Sequence, residues 1–488
     1  MLKSGLKMRR KLQEYFAQWQ VQNISFDSRK VKEGDAFFAI RGEDFNGNEY
    51  IEQVLQAGAS VVFTDNPLLK KDKVIYLEDI RLQLALAAGM FCPKTPPNLL
   101  AVTGTNGKSS VVSYINQILY LLGKKSASIG TIGIESNVDL SKKLNDLYPQ
   151  SLTTPDPITL RRILQDLANE KIEYVAFEAS SHGLAQNRLG DIKVKAAGFT
   201  SFSQDHLEYH KTLDGYLHAK LALFSEHLDV GGQVVINADM ACLDLVKNAL
   251  NQQGVDYTTV GSNGDMAITI DKQDVSGQNI TYRHGNKKYQ FRTNIVGSFQ
   301  ATNILIAAKM VASLGIDFDQ VSEVLSSIVA VPGRLQRITN STSSFQVFVD
   351  YAHTPDALEK SLTELKKIKL NSGKLYVVFG CGGNRDASKR AIMGKIAVNI
   401  ADIVVITDDN PRNEDPDLIR AEIMTGIKSK VYNISGRREA IKHAMAKLKK
   451  DDILLVAGKG HENYQIIGSH KSYFSDAETI QNILDQKE

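Results

Sequence analysis

Three cysteines, Cys92, Cys242 and Cys381, are all that the 488 residues contain. Scattered and odd in number, they exclude a disulfide framework and a four-thiolate zinc site, and they suit a reducing cytosol. Long apolar runs are missing too. Nothing approaches the roughly 18 apolar residues of a membrane-spanning helix. The opening MLKSGLKMRRKLQEYFAQWQ is basic but lacks the ~7–15-residue apolar stretch of a secretory signal. Nor is there an excess of either charge: 58 Lys and Arg against 55 Asp and Glu leave +3, so composition demands no nucleic-acid partner. The expectation is a cytoplasmic, monomeric chain with no membrane and no nucleic acid among its partners.

What is present is ordinary globular material, 43% hydrophobic and 23% charged. The length suits two to four domains of roughly 100–200 residues each. Residues 1–97 mix short apolar runs (AFFAI, ASVVFTD) with turns and end in the proline cluster CPKTPPN, which interrupts helix and strand alike. From LLAVTG onward, strand-like runs that end in polar residues (YVAFEASSH, AAGFTSFSQDH, GGQVVINAD) alternate with helical stretches. That alternation predicts an α/β domain with a mainly parallel sheet over 98–332. Pro332 and Gly333 in VAVPGRLQRI break the pattern and open a third unit, 333–488. There LYVVFGCGGNRD, DIVVITDDNPRNEDP and DILLVAGKGHENYQ each run from a strand into a polar loop. Ligands of open α/β sheets bind beyond the carboxyl ends of strands, so these three loops should share one crevice.

The sharpest motif is AVTGTNGKSSVV, residues 101–112. A P-loop reads G-x-x-x-x-G-K-S/T, and Val102 stands where its first glycine belongs. An apolar strand still feeds a glycine-rich turn and an apolar helix, so backbone N–H groups and the helix N-terminus point at a phosphate. Lys108 is placed to reach terminal phosphates, and Ser109 to offer a hydroxyl to Mg²⁺. A second pattern, HLEYH, sets His206 and His210 four apart. The zinc-protease motif needs Glu directly after the first His, and Leu207 is there instead, so a zinc hydrolase is not expected and His210 reads as packing or surface.

TGTNGKSS resembles the ATP loop of the Mur ligase family, cytoplasmic enzymes that add amino acids to the peptidoglycan precursor, in which T-G-T-N-G-K-S/T is typical. Ser109 and Ser110 replace the commoner Thr-Thr and keep the hydroxyl. The resemblance runs from SFDSRKVKEGDAFFAIRG to AGKGHENYQ, essentially the whole chain. It implies three α/β domains: an N-terminal UDP-binding domain, a central P-loop-type ATPase domain and a C-terminal Rossmann-like domain.

The resemblance also assigns roles. Gly104, Thr105, Asn106, Gly107, Lys108, Ser109 and Ser110 would hold ATP, with Asn303, Arg334, Asp350 and His353 clamping it from both sides of the second boundary. Ser109, Glu178 and His206 would face Mg²⁺. Lys220, in GYLHAKLALFSEH, reads by itself as a snorkelling lysine; the family implies a carbamate formed with CO₂ that helps position the metal. Ser28 would meet the UDP end of UDP-N-acetylmuramoyl-L-Ala-D-Glu, although D-S-R is equally a turn cap. Thr153, Thr154, Ser180, Gln186 and Arg188 would hold its sugar-peptide part and terminal carboxylate.

DNPR, Asp409–Asn410–Pro411–Arg412, resembles the signature of ligases that add meso-diaminopimelate. That amino acid carries a far carboxylate which lysine lacks and which a guanidinium can pair. Arg385, Gly458 and Glu462 match the remaining contacts. The implied reaction is attack of a carboxylate on the γ-phosphate, giving an acyl phosphate that an amine then opens to an amide. Alternatives are the same reaction with L-lysine, a folylpolyglutamate-synthase-like ligase, and a non-catalytic nucleotide switch.

Overall fold

The computed structural model describes residues 2–42, 45–149, 152–339 and 343–486. Three β-sheets organise the chain, and a two-stranded hairpin accompanies the last. Among the described residues no helix is long and apolar enough to cross a membrane.

The first sheet is four parallel strands in sequential order, Asn23–Ser25, Asp35–Ala39, Val61–Thr64 and Val74–Tyr76. Every residue of DAFFA in the second strand is buried, because both faces are covered. Phe38 and Phe63 join Leu12, Phe16 and Leu84 on one face, while Phe37 and Val62 pack with Ile51 and Val54 on the other. Alternate side chains of one strand thus enter different cores, as the period of two requires.

The central sheet has ten strands. Asn98–Thr103, the strand feeding the glycine-rich turn, lies in its middle, paired in parallel with Tyr174–Glu178 on one side and Val194–Phe199 on the other. The parallel run continues outward to Leu228–Asn237 and Ser126–Gly130, and antiparallel strands close both edges. Leu100 and Val102 pack with Ile115 and Ile306 beneath the helices Lys108–Leu121 and Ser298–Ala312. Leu99 and Ala101 face the opposite core with Phe177 and Phe199.

In the third sheet Gln346–Asp350, Ile453–Ala457, Leu375–Phe379 and Ile403–Ile406 run in parallel in that spatial order. The three strand-to-loop passages singled out in the sequence are therefore neighbours, and their loops emerge at one end.

Candidate active site between the central and third sheets

The glycine-rich turn has a backbone that only glycine accepts. Gly104 has φ 145° and Gly107 φ 90°, and a Cβ on Gly104 would sit 2.1 Å from Thr200 Oγ1. The helix begins directly after, at Lys108. Lys108 Nζ donates to the carbonyls of Gly104 and Thr105, each at 2.9 Å, so the ammonium is folded over the turn. Burial pushes it below the usual lysine range, and Glu178 and Asp205 pull it part of the way back. Thr105 Oγ1 lies 3.2 Å from the Tyr216 hydroxyl, Asn106 N donates to Ser201 Oγ at 2.9 Å, and Ser110 is buried.

The flanking strands supply the next groups. Glu178 ends its strand with its carboxylate buried; Thr131 N donates to it at 2.7 Å and Thr131 Oγ1 at 3.2 Å. No ion pair satisfies it among the described residues, an unusual state for a buried carboxylate. Thr131 Oγ1 also lies 3.2 Å from Thr153 Oγ1. His206 sits at φ 54°, in the left-handed region that a non-glycine residue rarely adopts. Next to it, Asp205 is ringed by His206, His353, Lys108 and Lys389; burial raises its carboxyl, but these cations outweigh burial and hold it below the usual range.

Lys220 is buried in the helix Leu213–His227. Its Nζ donates to Gly104 O at 2.8 Å and lies 4.3 Å from the centre of the Tyr216 ring. Two lysines thus meet one carbonyl oxygen. Burial, then the charge of Lys108, push Lys220 well below the lysine range.

The third sheet closes over this turn. Arg334 Nη2 donates to Ser109 Oγ at 2.7 Å and its guanidinium stacks 4.5 Å over Tyr351. Asp356 accepts from Asn106 Nδ2 at 3.0 Å and from Ser203 Oγ at 3.1 Å. Asn303 Nδ2 donates to Gln300 Oε1, and Gln300 Nε2 in turn to Arg334 O. Asp350 accepts from Ala352 N and Ser361 Oγ, each at 3.0 Å; burial pushes its carboxyl up to about 6, against the pull of Arg334. His353 Nδ1 donates to Tyr351 O at 2.8 Å, and burial followed by Lys389 push its imidazole down to about 4. His461 faces the Thr131 backbone, and burial and then Arg334 hold it at about 4. Gly333 and Gly460 touch backbone to backbone: a Cβ on Gly333 would lie 2.1 Å from His461 N, and one on Gly460 2.7 Å from Gly333 O.

Three loops of the third sheet form a second, adjoining cluster. Asn410 Nδ2 donates to Glu462 Oε2 at 3.0 Å, while its own Oδ1 accepts from Lys459 Nζ at 3.2 Å and Ile466 N at 3.0 Å. Lys459, with no exposed surface, also contacts Glu462 Oε2 at 3.3 Å. Asp409 lies 4.0 Å from Arg437 and would be met by a Cβ on Gly458, whose φ is 115°. Pro411 is buried. Arg412, at φ 52°, donates to Gly383 O at 2.8 Å. Arg385 is exposed and donates only weakly to Asn384 O at 3.4 Å. Burial and then Arg385 push Arg412 below the arginine range. Neither guanidinium enters an ion pair among the described residues.

Family profiles described as Mur ligase family catalytic domain, Mur ligase middle domain and Mur ligase glutamate ligase domain match residues 20–90, 102–311 and 333–460. A curated protein of Rickettsia conorii named UDP-N-acetylmuramoyl-L-alanyl-D-glutamate--2,6-diaminopimelate ligase is 53% identical over 98% of both chains. The chain belongs to the Mur ligase family. A solved structure bearing the same enzyme name is 31% identical, with a TM-score of 0.66, covering 96% of this chain and 95% of its own. A Mycobacterium tuberculosis folylpolyglutamate synthase, solved with ADP and AMPPCP, shares the fold at 17% identity and TM-score 0.63, over 78% of this chain and 92% of its own. The Mur ligase fold expected from the resemblance, three α/β units with a parallel-rich central sheet, is present.

Within this Mur ligase the expected groups divide. Lys108, Ser109, Glu178, Lys220, Asn303 and Arg334 converge on the glycine-rich turn, and His206 and His353 approach it through Asp205. Thr154 is fully buried; its hydroxyl bonds Glu178 O at 2.8 Å and Ser180 Oγ at 3.0 Å, and Ser180 caps the next short helix through Gly183 N. Gln186 Oε1 accepts from Arg188, whose Nη1 donates to Thr154 O at 2.7 Å. Ser28 stands apart, in the single helical turn Ser28–Lys30 between the first two strands of the first sheet. The turn cap there is its neighbour: Asp27 accepts from Arg29 N at 3.1 Å. Sequence reasoning passed over Thr131, Asp205, Tyr351, Asp356, Lys459 and His461. Asp205 was signalled by its place beside His206 in SQDH, and Lys459 and His461 by GKGHE; Thr131, Tyr351 and Asp356 carried no comparable local signal.

Proposed function

We propose that this enzyme, an ATP-dependent amino-acid ligase, joins meso-2,6-diaminopimelate to the D-glutamate carboxyl of UDP-N-acetylmuramoyl-L-Ala-D-Glu through an acyl phosphate, as a cytoplasmic step of peptidoglycan precursor synthesis. The reaction is supported by near-full-length likeness to ligases of that name. The observation that carries the choice of amino acid is the pair Arg385 and Arg412, adjacent guanidiniums without a carboxylate partner in an otherwise paired loop cluster. A distal carboxylate completes that pair; the chain end of lysine leaves it unsatisfied, a penalty that separates close analogues. In the same cluster Glu462 Oε2 is engaged by Asn410 and Lys459, and this carboxylate, which also faces Tyr464, supplies negative charge for an ammonium.

The division of labour follows the domains, which we place at 1–97 for the UDP-sugar, 98–332 for ATP and 333–488 for the amino acid. Arg188, linked to the loop of Thr153 and Thr154, positions the precursor carboxylate by charge. Lys108 exchanges its two carbonyl partners for phosphate oxygens and steadies the charge that develops during transfer. Arg334 and His353 reach the nucleotide from the far side, and the closed contacts to Asn106 and Ser109 keep water from the acyl phosphate.

The donor set suits a hard divalent cation. Ser109, Glu178 and His206 would hold Mg²⁺, and the buried Glu178 carboxylate, which makes no ion pair among the described residues, is the observation that fits it. When bound, the ion neutralises phosphate charge. Lys220 fits the carbamate reading: burial and Lys108 shift its amine toward the neutral form, the form that adds to CO₂, and the product is an anion beside Lys108.

The test incubates the protein with ATP, Mg²⁺ and the UDP-muramoyl dipeptide, together with labelled diaminopimelate, lysine or glutamate, and reads products by mass spectrometry. The expected product is the diaminopimelate amide with stoichiometric ADP. No amide from any of the three rejects the ligase reading, and preference for lysine rejects the role given to Arg412 and Arg385.

A further inference from the structure

The sequence pattern HLEYH failed as a zinc-protease motif because Leu207 stands where its glutamate is required, and the backbone also keeps the two imidazoles off one helix face. His206 stands ahead of the short helix Leu207–His210 in a left-handed conformation, and His210 turns into a ring cluster with His182, Tyr209 and Tyr216. A different partner takes the vacant place. His182, from the short helix Ser181–Ala185 that follows the Glu178 strand, sets its ring edge-on to His206 at 4.6 Å between centroids. One ligand atom each of His182, His206 and Glu208 lies within 4.8 Å of the others.

We propose that His182, His206 and Glu208 form a three-ligand site for a borderline transition-metal cation of the zinc class, and that filling it withdraws His206 from the nucleotide site. The second half rests on the assignment of His206 to Mg²⁺; the first stands on geometry. Two ligands bound at about 2.0–2.1 Å in a tetrahedron lie about 3.4 Å apart, and His206 Nδ1 stands 3.4 Å from Glu208 Oε1. The other ring nitrogen, Nε2, faces Asp205 Oδ2 at 3.4 Å. A carboxylate behind the second nitrogen is the arrangement that orients a metal-bound imidazole. His182 then closes the third position with a small side-chain rotation, and water has room for the fourth because the Glu208 side chain is 62% exposed. Two imidazoles with one carboxylate are a donor set that Zn²⁺, Co²⁺ or Ni²⁺ prefers over Mg²⁺.

The experiment titrates the full-length, chelator-treated protein with Co²⁺ and follows the visible absorption that marks four- or five-coordinate cobalt. Zn²⁺ then serves as the competing ion. The expected result is one equivalent bound by the wild type, displaced by Zn²⁺, with His182→Gln and Glu208→Gln each weakening binding by about 100-fold while their thermal unfolding midpoints stay close to wild type. No such spectrum in the wild type, or an unchanged one in both variants, overturns the site. In a parallel ligase assay at saturating Mg²⁺, Zn²⁺ should inhibit the wild type and not His182→Gln. Equal inhibition of both, with binding lost in the variant, overturns the link to His206 and leaves the ligase assignment untouched.

Discussion

Arg334 and Ser109 are 225 residues apart in sequence and joined by a 2.7 Å hydrogen bond from guanidinium to hydroxyl. The contact ties the third unit to the first turn of the phosphate-loop helix. It places a fixed positive charge beside the expected metal ligand, and the guanidinium is held flat by the Tyr351 ring. Replacing Arg334 by Ala removes a hydrogen bond from a charged group, about 1.5–3 kcal/mol, so kcat/KM for ATP should fall about 10–100-fold. Steady-state kinetics with ATP as the varied substrate check this, and an unchanged value in a folded variant counts against the arginine as a nucleotide contact.

Lys220 gives a second prediction. Its amine is depressed by burial and by Lys108, so the neutral form that holds CO₂ is more available than in a free lysine and is drawn down as pH falls. Activity should fall when dissolved CO₂ is stripped at mildly acidic pH and recover on adding bicarbonate. A carbamate carbon resonance from ¹³C-labelled bicarbonate should appear in the wild type and be missing from Lys220→Met. Activity indifferent to CO₂, with no resonance, rejects the carbamate.

The buried Lys459 is expected to govern the amino acid rather than the nucleotide. By engaging Asn410 Oδ1 and Glu462 Oε2, it fixes which way the Asn410 amide points and how the Glu462 carboxylate is turned. Lys459→Met should raise KM for the amino acid about 10-fold or more, since it leaves Glu462 without its cation, with KM for ATP within about twofold of wild type. Equal changes in both constants indicate general loosening of the loops instead.

Arg412→Lys separates charge from geometry. A lysine keeps the charge but cannot present a planar fork beside Arg385, so the preference for diaminopimelate over lysine should shrink by about 10–100-fold, equivalent to about 1.4–2.8 kcal/mol. Competition between the two labelled amino acids measures the ratio directly. A preserved ratio moves the specificity elsewhere.

Stability should respond to acid through His227. This imidazole is 3% exposed and its Nδ1 donates to Ile192 O at 3.1 Å; burial holds it at about 4. An unfolded chain takes up the proton near 6.5, so the contribution is complete above that value and is lost as pH falls toward 4, to at most about 3 kcal/mol. Urea unfolding at about pH 7.5 and about pH 4.5 should show a smaller pH effect in His227→Gln than in wild type. Equal effects in the two proteins exclude His227 as a source.

Much of this site was readable from the chain because its signals are local. Gly104, Gly107, Lys108 and Ser109 act within one turn, where glycine spacing and the start of a helix are written in adjacent residues. The strand end carrying Glu178, the loop that leads from Phe199 to His206, and the loops of Asp409–Arg412 and Gly458–Glu462, follow from apolar runs that stop at polar groups. Asp356 and His461 were not readable in this way, since each gains its role only by meeting Asn106 or Thr131 across the cleft, far along the sequence. Thr154 shows the reverse limit. A hydroxyl beside proline in a loop looked free for a ligand, whereas the folded chain turns it inward to hold Glu178 and Ser180 in place. Likewise the motif at Ser28 does cap a turn, but through the carboxylate of Asp27.

The backbone contact between Gly333 and Gly460 has a mechanical corollary. With no side chain separating them, the segment carrying Arg334 and the segment carrying His461 cannot slide independently, so whatever swings one toward the phosphate turn swings the other toward Thr131. Both ends of the cleft thus hang on one joint, and a bulkier residue at Gly460, whose added carbon would also meet Tyr351 at 2.7 Å, would tilt the platform beneath Arg334 together with that joint.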